Sequence, residues 1–178
     1  FMAGSRYTAN LLSNPGAETL SAVLPVKFGD LAGLEIESLT TANQQAWPLR
    51  LFPANADHPL LQFSPDRNEN IRRWQSLPGI LWSLPAVDAA PAAQVLAEHS
   101  NPALATAGKP RPLIVAGRYG AGSTLYLGFD GTWRWRSADS HAEFFDKFWI
   151  QAMRFLVEGR SLEGRRRGYV HTDQERYE

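Results

Sequence analysis

The chain has 178 residues, 44% of them hydrophobic and 20% charged, the composition of an ordinary globular domain with a substantial core. Lys plus Arg number 18 and Asp plus Glu number 18, so no overall charge draws the chain to nucleic acid or to acidic lipid. The absence of cysteine excludes disulfides, thiolate metal sites and cysteine nucleophiles together.

No apolar stretch approaches the roughly 18 residues of a membrane span, and Phe1-Met2-Ala3-Gly4 has neither the basic nor the apolar region of a signal peptide. It reads as the end of a buried strand entering a loop, and Tyr169-Val170-His171-Thr172-Asp173 reads as a strand beginning. Both ends are therefore expected to continue into a longer protein.

Residues 1–20, rich in Gly, Ser, Asn and Pro, predict a loop with one helical turn. Leu20 to Phe28 is an apolar run broken by Pro25, the pattern of a short or edge strand. Residues 29–46 are weakly patterned and suit a surface excursion. Trp47 to Pro53 alternates, as a strand does. Ser64-Pro65-Asp66 predicts a helix start with Ser64 as cap and Pro65 at the first position. Ile71, Trp74 and Leu77 would share a face, and Pro78-Gly79 would stop the helix. Residues 84–93 read as a connection into a strand at Gln94–Glu98, followed by a loop from Ser100 to Pro110. Leu113–Ala116 and Ser123–Phe129, joined by Tyr119-Gly120-Ala121-Gly122, predict a β-hairpin. Ser140-His141-Ala142-Glu143 fits a capping box. The helix behind it carries Phe144, Phe148 and Ala152 on one stripe, with Phe145, Trp149, Met153 and Leu156 beside them. Gly159 is expected to end it, and residues 160–168, which include Arg165-Arg166-Arg167, read as a solvated linker.

The most distinctive string is Asp130-Gly131-Thr132-Trp133-Arg134-Trp135-Arg136, between the hairpin and the capped helix. Loops that leave strand ends are where α/β proteins bind ligands, and Trp and Arg are common interface hot spots. One reading makes Asp130, Thr132, Trp133, Arg134, Trp135 and Arg136 a docking or ligand surface. The other has the Trp rings cover the end of the sheet while the Arg side chains stack or pair. His141 and Glu143 match a His-x-Glu pair in form but occupy a helix cap. His58, ahead of Pro59, is a turn residue or a weak candidate metal ligand or base, and His99 and His171 fall in loop or linker sequence with no partner at ligand spacing. No P-loop, dinucleotide glycine fingerprint or Gly-x-Ser-x-Gly elbow occurs, so neither a cofactor nor a metal is expected.

Arg118-Tyr119-Gly120-Ala121-Gly122, then Asp130 to Arg136, then Phe144-Phe145-Asp146-Lys147-Phe148-Trp149 resembles the glutamine amidotransferase-like domain of large bacterial membrane proteins. Those proteins often carry von Willebrand factor type A and immunoglobulin-like modules. Leu24-Pro25-Val26, His58-Pro59-Leu60-Leu61 and Trp74 extend the likeness from Phe1 to about Gly159. The resemblance implies a partial flavodoxin-like α/β sheet with flanking helices and a C-terminal β-hairpin over 1–159, with N-terminal strands missing. A linker over 160–168 and the start of an immunoglobulin-like module over 169–178 would follow. Gly4 or Ser5 would stand where an active relative has its cysteine, and Asp130 with the Trp-Arg string where it has its His-x-Glu. With no cysteine the chemistry is not inherited. The expectation is a non-catalytic interaction or scaffold domain of a membrane-anchored envelope protein, with the periplasmic side favoured. Its partner would be a protein, a neighbouring module or a second copy joined through an unpaired sheet edge. The alternatives are a divergent hydrolase or amidotransferase relative using Ser5, Asp130 and His141, and a sugar-binding module that uses exposed Trp faces.

Overall fold

A computed structural model of the chain describes residues 1–2, 5–29, 31, 45–137 and 142–164, with backbone alone for 5–7, 137 and 158–164. In chain order the elements are α1 (Ser5–Ser13), α2 (Glu18–Val23), β1 (Val26–Phe28), β2 (Leu49–Leu51), α3 (Arg67–Ser76), β3 (Ala86–Ala89), β4 (Gln94–His99), β5 (Pro112–Tyr119), β6 (Gly122–Leu127), α4 (Trp133–Ser137) and α5 (Ala142–Gly164). The chain is thus mixed α/β, as the sequence implied.

The main sheet runs β2-β4-β5-β6, every neighbour antiparallel. The expected hairpin, β5–β6, forms one side of it. Tyr119 pairs with Gly122, and Gly120 at φ +56° supplies the positive φ that a two-residue hairpin turn demands at its first central position. Beyond β6 the chain adds one parallel contact, a bridge from Met2 to Leu127. The Phe1 amine donates to the Leu125 carbonyl at 2.9 Å, and the Leu127 amide to the Phe1 carbonyl at 3.0 Å. Among the described residues this is the extent of parallel pairing between strands. β1 and β3 form a separate antiparallel ribbon.

Two apolar clusters cover the two faces of the main sheet. On one, α3, α4 and α5 deliver Trp74, Leu77, Trp135, Phe144, Phe148 and Ala152 against Leu96, Ile114, Leu125 and Leu127. On the other, α1 and the β1–β3 ribbon bring Ala9, Leu12, Leu24, Val26 and Ala86 against Val115 and Tyr126.

Several local expectations change. Residues 5–23 are largely helical rather than a loop: Asn14 caps a 3-10 turn over Pro15–Ala17, and Leu20–Val23 belong to α2, so strand begins only after Pro25. The cap of α3 is Asp66, whose carboxylate accepts from the Glu69 amide at 2.7 Å. Pro65 therefore lies outside the helix, and Ser64 instead donates its hydroxyl to the Glu69 carboxylate at 2.5 Å. The 84–93 connection contains β3, because pairing with β1 fixes a stretch whose own composition is neutral. His99 closes β4 rather than lying in a loop. Gly159 does not stop α5, which continues to Gly164 and takes in the first residues of the expected linker. Ser140, His141, His171, the Arg165–Arg167 run, the 169–178 segment and most of the 29–46 excursion lie outside the described residues.

Candidate functional site

The string 130–136 follows directly from the end of β6. Asp130 is exposed, Gly131 turns the chain, and amides of Arg134 and Trp135 bond back to the carbonyls of Gly131 and Thr132 at 3.1 and 3.0 Å, opening α4. One helical turn then sorts the side chains, since positions three apart share a face. Thr132 and Trp135 point inward, at 3% and 2% exposure. The Trp135 ring meets Trp74 edge-on at 5.7 Å and Phe148 at 5.4 Å, inside the aromatic cluster. Arg134 donates to the Gly79 carbonyl and ties α4 to the end of the α3 segment. Arg136 is exposed and lies over the Phe145 ring at 5.6 Å. Trp133 is 63% exposed. The six predicted surface residues therefore divide. Trp135 and Thr132 are core, Arg134 is a clasp, and the outward surface is Trp133, Arg136 and Asp130.

The parallel bridge sets what stands beside this string. Met2 and Leu127 are paired in parallel, so the chain leaves both at the same edge of the sheet. Ser5 and Asp130 follow their bridge partners by the same interval, and the start of α1 therefore shares an edge with the segment entering α4. His58 is elsewhere. Its Nδ1 accepts from the Leu60 amide at 3.2 Å, capping a 3-10 turn, and its ring packs edge-on against Phe155 at 5.6 Å. Burial holds its pKa below the usual histidine value. This geometry is that of the turn residue.

Of the remaining Trp residues, Trp74 is buried and Trp47, Trp82 and Trp149 are half-buried. Trp133 thus has no second exposed Trp among the described residues to form a sugar platform with. Also among the described residues, no group of three or more His, Asp or Glu stands at metal-ligating distance, and no helix is long and apolar enough to cross a membrane.

A polar group absent from the sequence reading lies at the end of the sheet where β6 ends and β5 begins. The His99 amide donates to the Arg111 carbonyl at 2.9 Å, which makes the two residues cross-strand neighbours. His99 is buried, its Nδ1 accepts from the Asn101 amide at 3.0 Å, and burial, reinforced by the nearby Arg111 charge, lowers its pKa to about 4. Arg111 donates from Nη1 to the carbonyl and hydroxyl oxygens of Ser83 at 3.2 and 3.1 Å. Its pKa is lowered by burial. The Tyr126 ring is fully buried between Phe1, stacked at 6.1 Å, and Phe28, edge-on at 5.9 Å. Its hydroxyl has no hydrogen-bond partner, and burial raises its pKa. Two strands, β4 and β6, and the segments that carry Ser83 and Arg111 contribute to this group, and no spacing along the chain announces it.

No family model matches the sequence, and no curated protein matches it. Among solved structures the chain is similar to a cytoplasmic protein from Salmonella typhimurium, with 21% identity and a TM-score of 0.50 over 86% of this chain and 50% of that one. The chain spans about half the length of that protein, and the likeness is one of fold.

Proposed function

We propose that this chain is a non-catalytic, amidotransferase-like interaction domain within a larger, membrane-anchored bacterial envelope protein. The observation that carries the reading is the division of the 130–136 string. Trp135, Thr132 and Arg134 lock α4 onto the core, and the same turn holds Trp133 and Arg136 outward as a fixed aromatic and cationic pair. Where an active relative would carry its histidine and acid, this chain has a packed plug and a presented surface. The flavodoxin-like ancestry draws support from the Met2–Leu127 bridge, since a parallel strand running into a helix at the edge shared with Asp130 is the geometry such a core would have. The partner is a protein or a neighbouring module of the same chain.

The test is a photo-crosslinking residue at position 133 in the full-length protein in its host cell. A discrete adduct that disappears in Arg136→Ala is the expected result. Arg136 is the right companion because Arg134→Ala would also break the Gly79 contact.

The shared edge also favours a second reading, a hydrolase relative with Ser5 and Asp130 in its site. No adduct at position 133, together with glutaminase or esterase turnover lost in both Ser5→Ala and Asp130→Ala, would replace the first reading with this one.

A further inference from the structure

The edge strand β2 carries an inference independent of the Trp133 surface. In the main sheet β2 pairs with β4 alone. The Phe52 amide donates to the Leu96 carbonyl at 2.9 Å, and the residues of an antiparallel strand that bond to a given neighbour alternate along it. Phe52 and Arg50 therefore bond to β4, and the N–H and C=O groups of Leu49 and Leu51 point away from it, where nothing among the described residues bonds to them. A cavity of about 330 Å³ lies against this strand. Successive residues of a strand point to opposite faces, so a space lined by Leu49, Arg50 and Leu51 together runs along the open edge.

The other wall is α3. Arg67, Ile71, Trp74 and Gln75 line the cavity, and they fall at i, i+4, i+7 and i+8, one stripe of the helix. Ile71 and Trp74 complete an apolar surface with Leu49, Leu51 and Ala56, all packed into or against the aromatic core.

Two features decide what fits. The first is that a further strand does not. β2 has three residues and stands between Pro48 and Pro53, which have no N–H to pair and blunt a sheet edge. A mostly apolar space of this volume with a few backbone and side-chain polar groups suits a small molecule instead. The second is charge. Arg50 and Arg67 are the charged residues on the wall, and no acid stands with them. The Arg67 guanidinium donates to the Pro53 carbonyl at 3.0 Å, which places it at the end of the cavity that Pro53 lines. Its ion pair with Asp57 at 3.1 Å joins two side chains that are 55% and 62% exposed, a contact worth little in water, and Asp57 is not part of the wall. A ligand carboxylate can therefore compete for Arg67 on favourable terms once its body is out of water.

We propose that the cavity between the open edge of β2 and α3 binds a small monocarboxylic acid with an apolar body, the body resting on Leu51, Ile71 and Trp74 and the carboxylate on Arg67.

The experiment is an NMR titration of the isotope-labelled 178-residue chain with sodium hexanoate, its neutral amide hexanamide and sodium acetate, at matched ionic strength. Hexanoate should give saturable shifts centred on the amides of Leu49, Leu51 and Ile71. Acetate, which lacks the body, and hexanamide, which lacks the charge, should each bind at least roughly tenfold more weakly. Two exposed wall residues supply the variants. Gln75→Trp, which sets a large ring across the space, should abolish the hexanoate shifts without lowering Tm. Arg67→Gln should bring hexanoate down to the affinity of hexanamide. Any of four outcomes overturns the assignment: no saturable hexanoate shift, shifts centred away from β2 and α3, hexanamide binding as tightly as hexanoate, or hexanoate binding unchanged in Arg67→Gln.

Discussion

The two faces of the main sheet are built on different principles. On the α3–α5 face, Trp74, Trp135, Phe148, Phe63 and Phe144 interlock edge-on and stacked, and Trp74 hands its ring N–H to the Leu61 carbonyl at 2.7 Å. On the α1 face the apolar cluster is smaller, and it encloses the unpaired Tyr126 hydroxyl, whose ring lies between Phe1 and Phe28. Close packing of large rings contributes stability and specifies one arrangement. A buried hydroxyl without a partner costs stability. The contrast separates a face held by interlocking rings from one held by a smaller cluster.

The largest effect should come from the aromatic face. Trp135→Ala removes a fully enclosed ring that touches Trp74, Phe129 and Phe148, and should destabilise the chain by about 4 kcal/mol. Trp133→Ala, two residues earlier and exposed, should change stability by no more than about 0.5 kcal/mol. Urea unfolding of both variants checks the division of the string directly. Equal costs would mean that the two Trp residues are not divided between core and surface.

The end of β4 should reveal itself through pH. Folded His99 takes up its proton only near pH 4, whereas in the unfolded chain it does so near the ordinary value of 6.5. Between these values the unfolded state binds the extra proton, so stability rises with pH through the window. The contribution is full above pH 6.5 and is lost as pH falls toward 4, by up to about 3 kcal/mol. Arg111, cross-strand from His99, opposes the imidazolium further, and His58 adds a slope of the same sign. His99→Gln should flatten the dependence of unfolding free energy on pH between 4 and 6.5, leaving the part due to His58. An unchanged slope would mean that His99 titrates normally and that its surroundings are wetter than their packing indicates.

What the sequence disclosed follows the same division. The β5–β6 hairpin was legible because two apolar runs flank a Gly-rich turn, α3 because Ile71, Trp74 and Leu77 share a face behind a helix-start signal, and α5 because aromatic residues recur at helical spacing. The aromatic face is made of those elements. The α1 face was mostly illegible. Its helices begin in Gly-, Ser- and Asn-rich sequence, and β3 exists because β1 pairs with it. The polar group needs β4, β5 and β6 to be in register before Arg111, His99 and Tyr126 meet at all. Within the 130–136 string, the roles of Trp133 and Trp135 could not be told apart, because a five-residue helix gives too little periodicity to show which side faces in.

The smallest effect probes how tightly the second face is closed. Gly117 lies in β5 under the turn that joins α2 to β1, and a Cβ there would come within 2.5 Å of the Pro25 Cβ and 3.1 Å of the Thr124 hydroxyl. Thr124 can rotate, but Pro25 cannot, since its ring is rigid and its carbonyl accepts from the Ala90 amide at 2.9 Å. Gly117→Ala must therefore lift the ribbon or bend β5, at a cost of about 2 kcal/mol. The distortion should be local to the α1 face. Hydrogen exchange should quicken at β1 and β3 and leave the amides of α3 and α5 protected to the extent that global stability allows. Uniform loss of protection over both faces would show that they unfold as one unit, and the α1 face would then be no more separable in energy than it is in chain order.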